Sequence, residues 1–554
     1  MTVDAAFAPY RLAPGALPEE AARAAEEEAA EPLVAAPAEP LPAPLVHRAL
    51  ADVAAGRAAP GADPCRAADG SVAGGGGPPR ACLSSGRQRA RVADAARAAL
   101  QAGFAGVCLD RPDAPLALGL LGAGFCPECQ RDLARHLSRE YGEHFQPLDY
   151  LALARAAVAQ APGAISFAQL PFGRDFWRVR NEALVRAVRD DTRAVRDAAR
   201  EAARPFEVVA EFEALGPAQL RAARHLDAVV FPAPLSGASG IGLFRVLRAA
   251  MGRRPCAVAP AAAPGQELGR VAAVAATCGI DLSGVQPSAG NGRDVAQVRR
   301  LSRRLLARGL APGQGDPVTE VAILYSEEAD LWTGGRHRAA VERAGELLAE
   351  LHVQAPVVMR ISDVPDGAAI ALADAVALAP LEAKEVERRL EAGTSVLAFG
   401  EPAAVDEVGR PRPPFLPAAR ARGAKVGEGT LVVLPPLVPE KRDERAPEPP
   451  LVEKAVATLL GKGRRAAGLS ARVPLLVVLH RAGGTVLVHL VAPEGERAQG
   501  ATLFLGAHVA GGARRGRFVS ADGTDVRIPI NPSGYSVSTV LPTFRGYAVL
   551  SLAP

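Results

Sequence analysis

Short apolar runs alternate with helical segments between residues 80 and 285, and this alternation most constrains the fold of the chain. Each run is too short to form a helix, whereas the segments between the runs carry apolar residues at helical spacing. Such an alternation is typical of βα units, in which helices cover both faces of a parallel sheet. Strands are therefore expected near residues 82, 107, 209, 229, 257 and 282.

Six strands are two fewer than a β/α barrel requires. Two weaker candidates, Phe7–Leu12 and Pro32–Ala35, would complete the set, although residues 1–80 also fit a low-complexity leader. A helix is predicted over Leu17–Ala30 in the same segment. The favoured fold for residues 81–315 is thus a (β/α)8-type barrel, whose N-terminal end is degraded if the leader does not fold.

Two further units are predicted after the barrel. Residues 316–435 indicate a doubly wound, flavodoxin-like or amidotransferase-like α/β domain, with strands that include Ala375–Leu378 and Ser395–Phe399. A Pro-rich linker and a helix occupy residues 436–470. Over residues 471–554 the hydrophobic period becomes two and turns rich in Gly, Pro and Asp-Gly appear, which predicts a C-terminal antiparallel β-sandwich.

The composition excludes several classes of protein. The net charge is +4, and the 64 basic residues are interspersed with 60 acidic ones, so the sequence predicts no nucleic-acid partner. No apolar stretch approaches the length of a membrane span, and the N-terminus lacks the pattern of a secretory signal. With seven cysteines and none beyond Cys278, we expect reduced thiols in a cytoplasmic protein rather than a disulfide framework.

Four segments together carry a resemblance to a known family. They are Gly103–Asp110, the FCPECQRDLARHLSREYG segment (Phe125–Gly142), VAILYSEEADLW (Val321–Trp332), and the terminal group of Val486–Pro493, Ser520–Gly523 and Leu541–Leu552. Their order resembles glycoside hydrolases of the beta-galactosidase type, with a barrel, a trimerisation domain and a β-sandwich, and related uncharacterised glycosyl-hydrolase-like proteins. The resemblance covers most of residues 80–554. It implies hydrolysis of O-glycosidic bonds in an unspecified oligosaccharide or polysaccharide, by a homo-oligomer (dimer or trimer).

The candidate catalytic residues are carboxylates that follow predicted strands. Asp110 ends the strand near residue 107, at the edge where a β/α barrel builds its active site, although it could instead cap the next turn. Glu211 and Glu213 end the following strand, VVAEFEA. Hydrolysis with retention needs two carboxyl groups about 5.5 Å apart. We therefore predict Asp110 as the acid and Glu211 or Glu213 as the nucleophile or base.

This assignment departs from what the resemblance implies. In the resembling enzymes the two carboxylates follow the fourth and seventh strands. Here the fourth strand offers Asp110 and Asp113 in place of an Asn-Glu pair, and the seventh has no carboxylate before Glu267. Alternatively, Glu211 and Glu213 form ion pairs with Arg178 or Arg224. The chain would then be an inactive barrel that serves as a carbohydrate-binding or assembly subunit.

Residues of the substrate cleft are also predicted. Sugar sites combine aromatic platforms with polar side chains. Trp177, Arg174 and Arg180 cluster at the start of a long predicted helix, and Asp113 follows the strand that ends in Asp110. These four residues are the candidate substrate contacts, while the alternative for Trp177 is simple packing of the helix on the barrel.

Hydrolysis requires no cofactor, but the cysteines indicate a structural zinc site. Cys126 and Cys129 lie in the segment where the resembling family has a third cysteine, whose position is Gly124 here. Structural zinc takes four ligands, typically thiolates. Cys108, His136 and His144 are the remaining candidates nearby, and a metal-free pair of buried thiols is the alternative.

The predicted α/β domain resembles class I glutamine amidotransferases in fold. Those enzymes require a cysteine nucleophile, and this chain has none after Cys278. Ser326 also lacks the flanking glycines of a hydrolase nucleophile elbow. An assembly role remains, and the resemblance implies that Glu327, Glu328 and Trp332 reach a neighbouring barrel in an oligomer.

Overall fold

The computed structural model describes most of the chain after residue 49. The described residues are 50–53, 55–58, 64–74, 79–142, 144–145, 148–160, 170–233, 240–260, 268–282, 292–310, 313, 315–405, 423–439, 445–461, 465–493 and 495–553. The strands and the helix predicted before residue 50 lie outside them. The chain divides into two compact units, one of residues 1–233 and 254–259 and the other of residues 234–253 and 260–554.

The first unit consists of parallel strands and the helices between them. Its elements are β1 (Leu50–Val53), α1 (Gly86–Gln101), β2 (Gly106–Asp110), α2 (Ala114–Ala117), α3 (Pro127–Tyr141), α4 (Tyr150–Gln160), α5 (Gly173–Glu201), β3 (Glu207–Glu211), α6 (Pro217–Ala223), β4 (Ala228–Ala233) and β5 (Cys256–Pro260). Its strands lie side by side in chain order, β1-β2-β3-β4-β5. This confirms the prediction of βα units.

Burial explains why these runs form strands. Val107 and Leu109 of β2 and Val208 of β3 have no exposed surface, as expected for strands covered on both faces. The pairs β1–β2, β2–β3 and β3–β4 are parallel. Within the described part of the first unit, no strand pairing closes the sheet into a ring.

One predicted strand of this unit is wrong. Residues 81–84 form a turn that leads into α1 instead of a strand. Ala81 and Cys82 are nevertheless buried, which accounts for their apolar character. Cys82 is buried among Cys65, Cys126 and Cys129.

The second unit contains an α/β layer and several antiparallel sheets. Its helices are α7 (Ile241–Met251), α8 (Leu268–Thr277), α9 (Gly292–Leu306), α10 (Glu327–Thr333), α11 (Arg336–Glu350), α12 (Pro380–Glu391), α13 (Pro449–Leu460) and α14 (Ala507–Ala510), with a 3-10 turn at Ile361–Asp363. Its strands up to residue 434 are β6 (Asp281–Leu282), β7 (Asp316–Pro317), β8 (Val321–Leu324), β9 (Val357–Val358), β10 (Ala369–Ala373), β11 (Val396–Phe399), β12 (Ala424–Val426) and β13 (Gly429–Leu434).

The α/β layer has the strand order β12-β13-β11-β10-β8-β9. All its pairs are parallel except β12–β13, and the order of the parallel strands is that of a flavodoxin-like sheet. The strand predicted at Ala375–Leu378 is wrong, because the ladder strand is β10 and residues 375–378 follow its carboxyl end.

The C-terminal part is antiparallel, as the period-two pattern predicts. Its strands are β14 (Ala467–Ser470), β15 (Leu476–Ala482), β16 (Thr485–Val491), β17 (Arg497–Ala498), β18 (Thr502–Gly506), β19 (Arg515–Ser520), β20 (Asp525–Pro529), β21 (Asn531–Ser533), β22 (Ser536–Val540), β23 (Phe544–Arg545) and β24 (Tyr547–Leu552). They form sheets in the orders β14-β18-β22-β21, β20-β19-β24-β16-β15-β7 and β17-β23. Leu503 and Leu505 share one buried core with Val488 and Leu550, so alternate residues face inward.

None of the helices described in the two units combines the length and the apolar character that crossing a bilayer would need.

Candidate functional site

Asp110 and Glu211 lie side by side at the carboxyl edge of the parallel sheet. Asp110 ends β2, Glu211 ends β3, and the two are direct partners in the parallel register. Because neighbouring strands are about 4.8 Å apart and partner residues share a face, the two carboxylates project from adjacent positions. Both residues are half-buried. The structure thus brings together two of the three predicted catalytic residues.

Arg111 follows Asp110 in a conformation that few residues other than glycine adopt, with φ of 48°. Its backbone N–H donates to the Glu211 carbonyl oxygen at 2.8 Å, which continues the β2–β3 ladder by one residue. Its Nε lies 3.6 Å from Oδ1 of Asp110. Arg111 therefore holds the two strand ends together and places a positive charge beside Asp110.

Glu213 lies two residues beyond the end of β3, although the sequence predicts it at the end of that strand. Its Oε1 is 3.4 Å from Nη2 of Arg80. Its Oε2 is buried and has no hydrogen-bond partner among the described residues. Glu213 therefore pairs with Arg80, whereas the alternative drawn from the sequence paired it with Arg178 or Arg224.

Asp113 is fully buried and accepts three hydrogen bonds. The donors are the backbone N–H groups of Glu213, at 2.8 Å, and Ala214, at 2.9 Å, and Nε2 of Gln219, at 2.9 Å. Burial raises the pKa of the Asp113 carboxyl to about 6, against the lowering effect of these bonds. Asp113 thus ties the loop after β2 to the loop after β3.

Arg180 is a second predicted substrate contact that the fold buries. Its guanidinium donates to the carbonyl oxygens of Pro115 at 2.7 Å, Gly119 at 2.7 Å and Leu120 at 3.2 Å. It also lies 5.4 Å from the ring centre of Trp177, within cation–π distance. Arg180 therefore fixes the segment after β2, whereas Arg174 on the same helix is exposed and Trp177 is half-buried.

Four cysteines meet in a buried cluster of the first unit. Sγ of Cys82 lies 3.3 Å from Sγ of Cys126 and 3.6 Å from Sγ of Cys129, and Cys126 and Cys129 are 3.3 Å apart. Cys65 completes the group, and its Sγ accepts the backbone N–H of Gly124 at 3.1 Å. Hydrogen bonds from Cys126, Cys129 and Cys82 hold the pKa of the Cys65 thiol well below its usual value.

The four thiols fit a structural zinc ion. Zinc bonds to thiolate sulfur at about 2.3 Å, so the edges of a tetrahedral site measure about 3.8 Å, close to the separations found here. The set is also complete in number, which leaves no coordination position open for catalysis. The buried guanidinium of Arg180 lies close enough to Cys65, Cys129 and Cys126 to interact electrostatically with their thiolates.

The sequence predicts only half of this ligand set. The sequence pattern indicates Cys126 and Cys129. Cys65 and Cys82 lie in loops, at no regular spacing from that pair. The predicted substitutes take other roles: His136 pairs with Asp175 at 3.0 Å, His144 is exposed, and Cys108 is buried in β2. The signal that could have found the set is the presence of five of the seven cysteines within residues 65–129.

Other parts of the rim are not covered by the structure. Residues 234–239 and 261–267, which follow β4 and β5, lie outside the described residues. Glu267 belongs to the second of these segments.

The fold is similar to that of solved beta-galactosidases. A GH42 beta-galactosidase from G. stearothermophilus, solved as a catalytic mutant, superposes with a TM-score of 0.61 at 12% identity, covering 91% of this chain and 88% of that one. The enzyme from Bacillus circulans sp. alkalophilus gives 0.59 at 12% identity, with coverages of 86% and 84%. That from Halorubrum lacusprofundi gives 0.57 at 14% identity, with coverages of 89% and 86%.

Comparisons at the level of sequence find no relative. No protein-family model matches the chain, and a search of curated proteins finds no match. The chain therefore has a beta-galactosidase-like glycoside hydrolase fold, as its four segments predict, with a sequence far removed from the solved examples. At such identities the likeness establishes the fold alone.

Proposed function

We propose that this protein hydrolyses O-glycosidic bonds of an oligosaccharide or polysaccharide, with Asp110 and Glu211 as the working carboxylates. The observation that carries the proposal is their placement as register partners at the carboxyl edge of parallel strands. The described strands would belong to a β/α barrel, as the likeness to beta-galactosidases supports. The C-terminal sheets would form its β-sandwich.

The chemistry follows from the spacing. Retaining hydrolysis needs two carboxyl groups about 5–5.5 Å apart, one protonated to assist the leaving oxygen and one ionised to attack the anomeric carbon. In-register residues on neighbouring strands can meet that separation. Asp110 is the acid in this proposal and Glu211 the nucleophile. Glu213, Asp113 and Arg180 would position the rim through the contacts described above, with Trp177 and Arg174 left to contact the sugar.

A panel of nitrophenyl glycosides, galactosides included, tests the proposal. Wild-type protein should release nitrophenol from at least one of them, and Asp110→Asn should abolish that release. Glu207→Gln is the matched control, because Glu207 begins the same strand that Glu211 ends. No turnover of any glycoside, or turnover that Asp110→Asn leaves unchanged, would overturn the proposal.

A second candidate function is carbohydrate binding or assembly without catalysis. The observation that favours it is the commitment of Asp113, Glu213 and Arg180 to internal contacts. Calorimetric binding of oligosaccharides without turnover would support this second function. With or without catalysis, the proposed partner is a carbohydrate. We also propose that the protein forms a homo-oligomer, either a dimer or a trimer, and light scattering would measure its mass.

We also propose that Cys65, Cys82, Cys126 and Cys129 hold a structural zinc ion. Bound there, zinc would crosslink the loops before α1 to the start of α3. It would supply no chemistry to the reaction, because four protein ligands fill its coordination sphere. Arg180 would offset part of the negative charge of the tetrathiolate site.

A further inference from the structure

A cavity of about 250 Å3 lies within the second unit. Its walls come from the C-terminal half of α7, from β7, from the segment before β9, and from β15. The side chains that matter for its chemistry are those of Arg245, Arg248, Arg253, Cys278 and His480. Three arginines and a histidine thus line one small space.

Arg245 is a buried cation. It is 6% exposed, and its Nη1 donates to the carbonyl oxygen of Gly345 at 3.0 Å. Among the described residues no carboxylate pairs with it, and burial lowers the pKa of its guanidinium to about 10. A buried charge that lacks a counter-charge destabilises a fold unless something compensates it.

The position of Arg245 is fixed by close helix packing. Helices α7 and α11 approach so closely at Gly242 that a Cβ there would lie 2.0 Å from the carbonyl oxygen of Glu342. Gly345 faces the same contact from α11. The backbone that carries Arg245, three residues beyond Gly242 on α7, is therefore held against α11.

His480 adds an unused polar group to the same wall. The residue is 6% exposed, and its Nδ1 is buried with no hydrogen-bond partner in the described structure. Burial, together with Arg248 and Arg245, lowers the pKa of His480 to about 4. At neutral pH its ring is therefore neutral and carries one N–H that can donate.

The remaining charges leave the cavity positive. Arg248 donates to the carbonyl oxygen of Gly313, and Arg253 lies 3.5 Å from Asp316 where both side chains are exposed. Asp316 is the sole acidic residue in the cavity wall as described, against three arginines. Several arginines in the wall of one small cavity are an arrangement that suits the binding of an oxyanion.

We propose that this cavity binds a small phosphate-type oxyanion, held by the Arg245 guanidinium and the His480 imidazole and attracted by Arg248 and Arg253. Either inorganic phosphate or the phosphate group of a small phosphomonoester has this chemistry. The bound anion compensates the buried charge of Arg245. This inference is independent of the proposed glycosidase function.

Calorimetric titration of the full chain at constant ionic strength tests the site, with sodium phosphate and glycerol phosphate as separate ligands. Wild-type protein should bind at least one of them with a dissociation constant below about 1 mM. Arg245→Met and His480→Leu should each weaken binding at least tenfold. Arg343→Met is the matched control, because Arg343 is a half-exposed arginine on α11 that pairs with Glu346, and it should bind as the wild type does.

Melting temperatures separate an anion site from a purely structural arginine. Phosphate should raise the melting temperature of the wild type and of the control, but not that of His480→Leu. In phosphate-free buffer Arg245→Met should be at least as stable as the wild type, because an uncompensated charge has been removed. Absence of binding by both ligands, or equal binding by both cavity variants and the wild type, would overturn the proposal.

Discussion

The backbone N–H of Gly124 donates to the Cys65 sulfur at 3.1 Å, across 59 residues of sequence. The beta-galactosidase-type segment that the chain resembles carries a cysteine at the position of Gly124. Here the fourth thiol of the cluster comes instead from a loop near the beginning of the described chain. The cluster thus contains four cysteines, but one of them comes from a different position than in the segment that the chain resembles.

Removing Cys65 should empty the proposed zinc site. Purified wild-type protein should contain about one zinc ion per chain, because four thiolates form a full structural set. Cys65→Ser should lose most of this zinc and melt at a lower temperature. Elemental analysis by mass spectrometry measures both proteins, with Cys256→Ser, a buried cysteine of β5 outside the cluster, as the control. A metal-free wild type would contradict the assignment.

Returning a cysteine to position 124 should not rescue that loss. Gly124 has φ of +97°, and a Cβ there would lie 2.7 Å from Cδ of Arg180 and 2.9 Å from Cζ of Phe176. The double variant Cys65→Ser with Gly124→Cys should therefore stay zinc-poor and be less stable than Cys65→Ser alone. Zinc restored to the wild-type level would show that Arg180 and Phe176 can move aside.

Arg180→Met should destabilise the first unit by about 3 kcal/mol, since the buried guanidinium donates to three carbonyl oxygens that would lose their donor. Urea unfolding of the zinc-loaded proteins measures the free energy of unfolding. Arg200→Met on the same helix is the control, because Arg200 is 75% exposed and pairs with Asp197. A similar small effect in both variants would contradict the role given to Arg180.

Asp113→Ala should also destabilise the protein, by about 2–4 kcal/mol, because two backbone N–H groups and Gln219 would lose a buried acceptor. Asp94→Ala, which removes an exposed carboxylate paired with Arg97, should change the stability by less than about 1 kcal/mol. Chemical unfolding of both variants makes the comparison. If Asp113→Ala unfolds like the wild type but loses sugar affinity, the residue is a substrate contact as the sequence predicts.

Asp191 should make the stability pH-dependent. It is 5% exposed on α5, and burial raises its pKa to about 7 from a usual 3.8. The folded protein then holds a proton that the unfolded chain releases. The contribution of Asp191 to the free energy of unfolding is therefore fully present below about pH 4 and is lost as the pH rises to about 7. The advantage of Asp191→Asn over the wild type should grow across this range by up to about 4 kcal/mol and then level off.

Unfolding free energies between pH 4 and 8 test this sign directly. Asp190→Asn is the neighbouring control, because Asp190 is 35% exposed and pairs with Arg189. Its difference from the wild type should hardly change with pH. A pH-independent difference for Asp191→Asn as well would mean that the buried carboxyl keeps its ordinary pKa.

The strands of the sheets could be predicted because burial on both faces leaves a continuous apolar run. The prediction near residue 107 corresponds to Gly106–Asp110, and that at Ser395–Phe399 corresponds to Val396–Phe399. The same signal misleads at residues 81–84, where Cys82 is buried by loops rather than by a ladder. An apolar run reports burial, and only pairing partners distant in sequence decide whether it becomes a strand.

The roles of charged residues were harder to predict than their positions. Asp113 and Arg180 have the chemistry of substrate contacts, but the fold gives each a set of internal backbone partners. These partners lie about 60 to 100 residues away, and no local pattern announces them. Asp110 and Glu211 could be predicted together because both end strands that the alternation places side by side.

The catalytic parameters of Asp110→Asn, Glu211→Gln and their double variant, on the glycoside that the wild type cleaves best, test the central claim most directly. Each single change should lower kcat by at least about 100-fold, the contribution expected of a general acid or nucleophile. The double variant should lose little more, because residues that act as a unit are not additive. Single variants that retain kcat to the same extent as the Glu207→Gln control would contradict the claim.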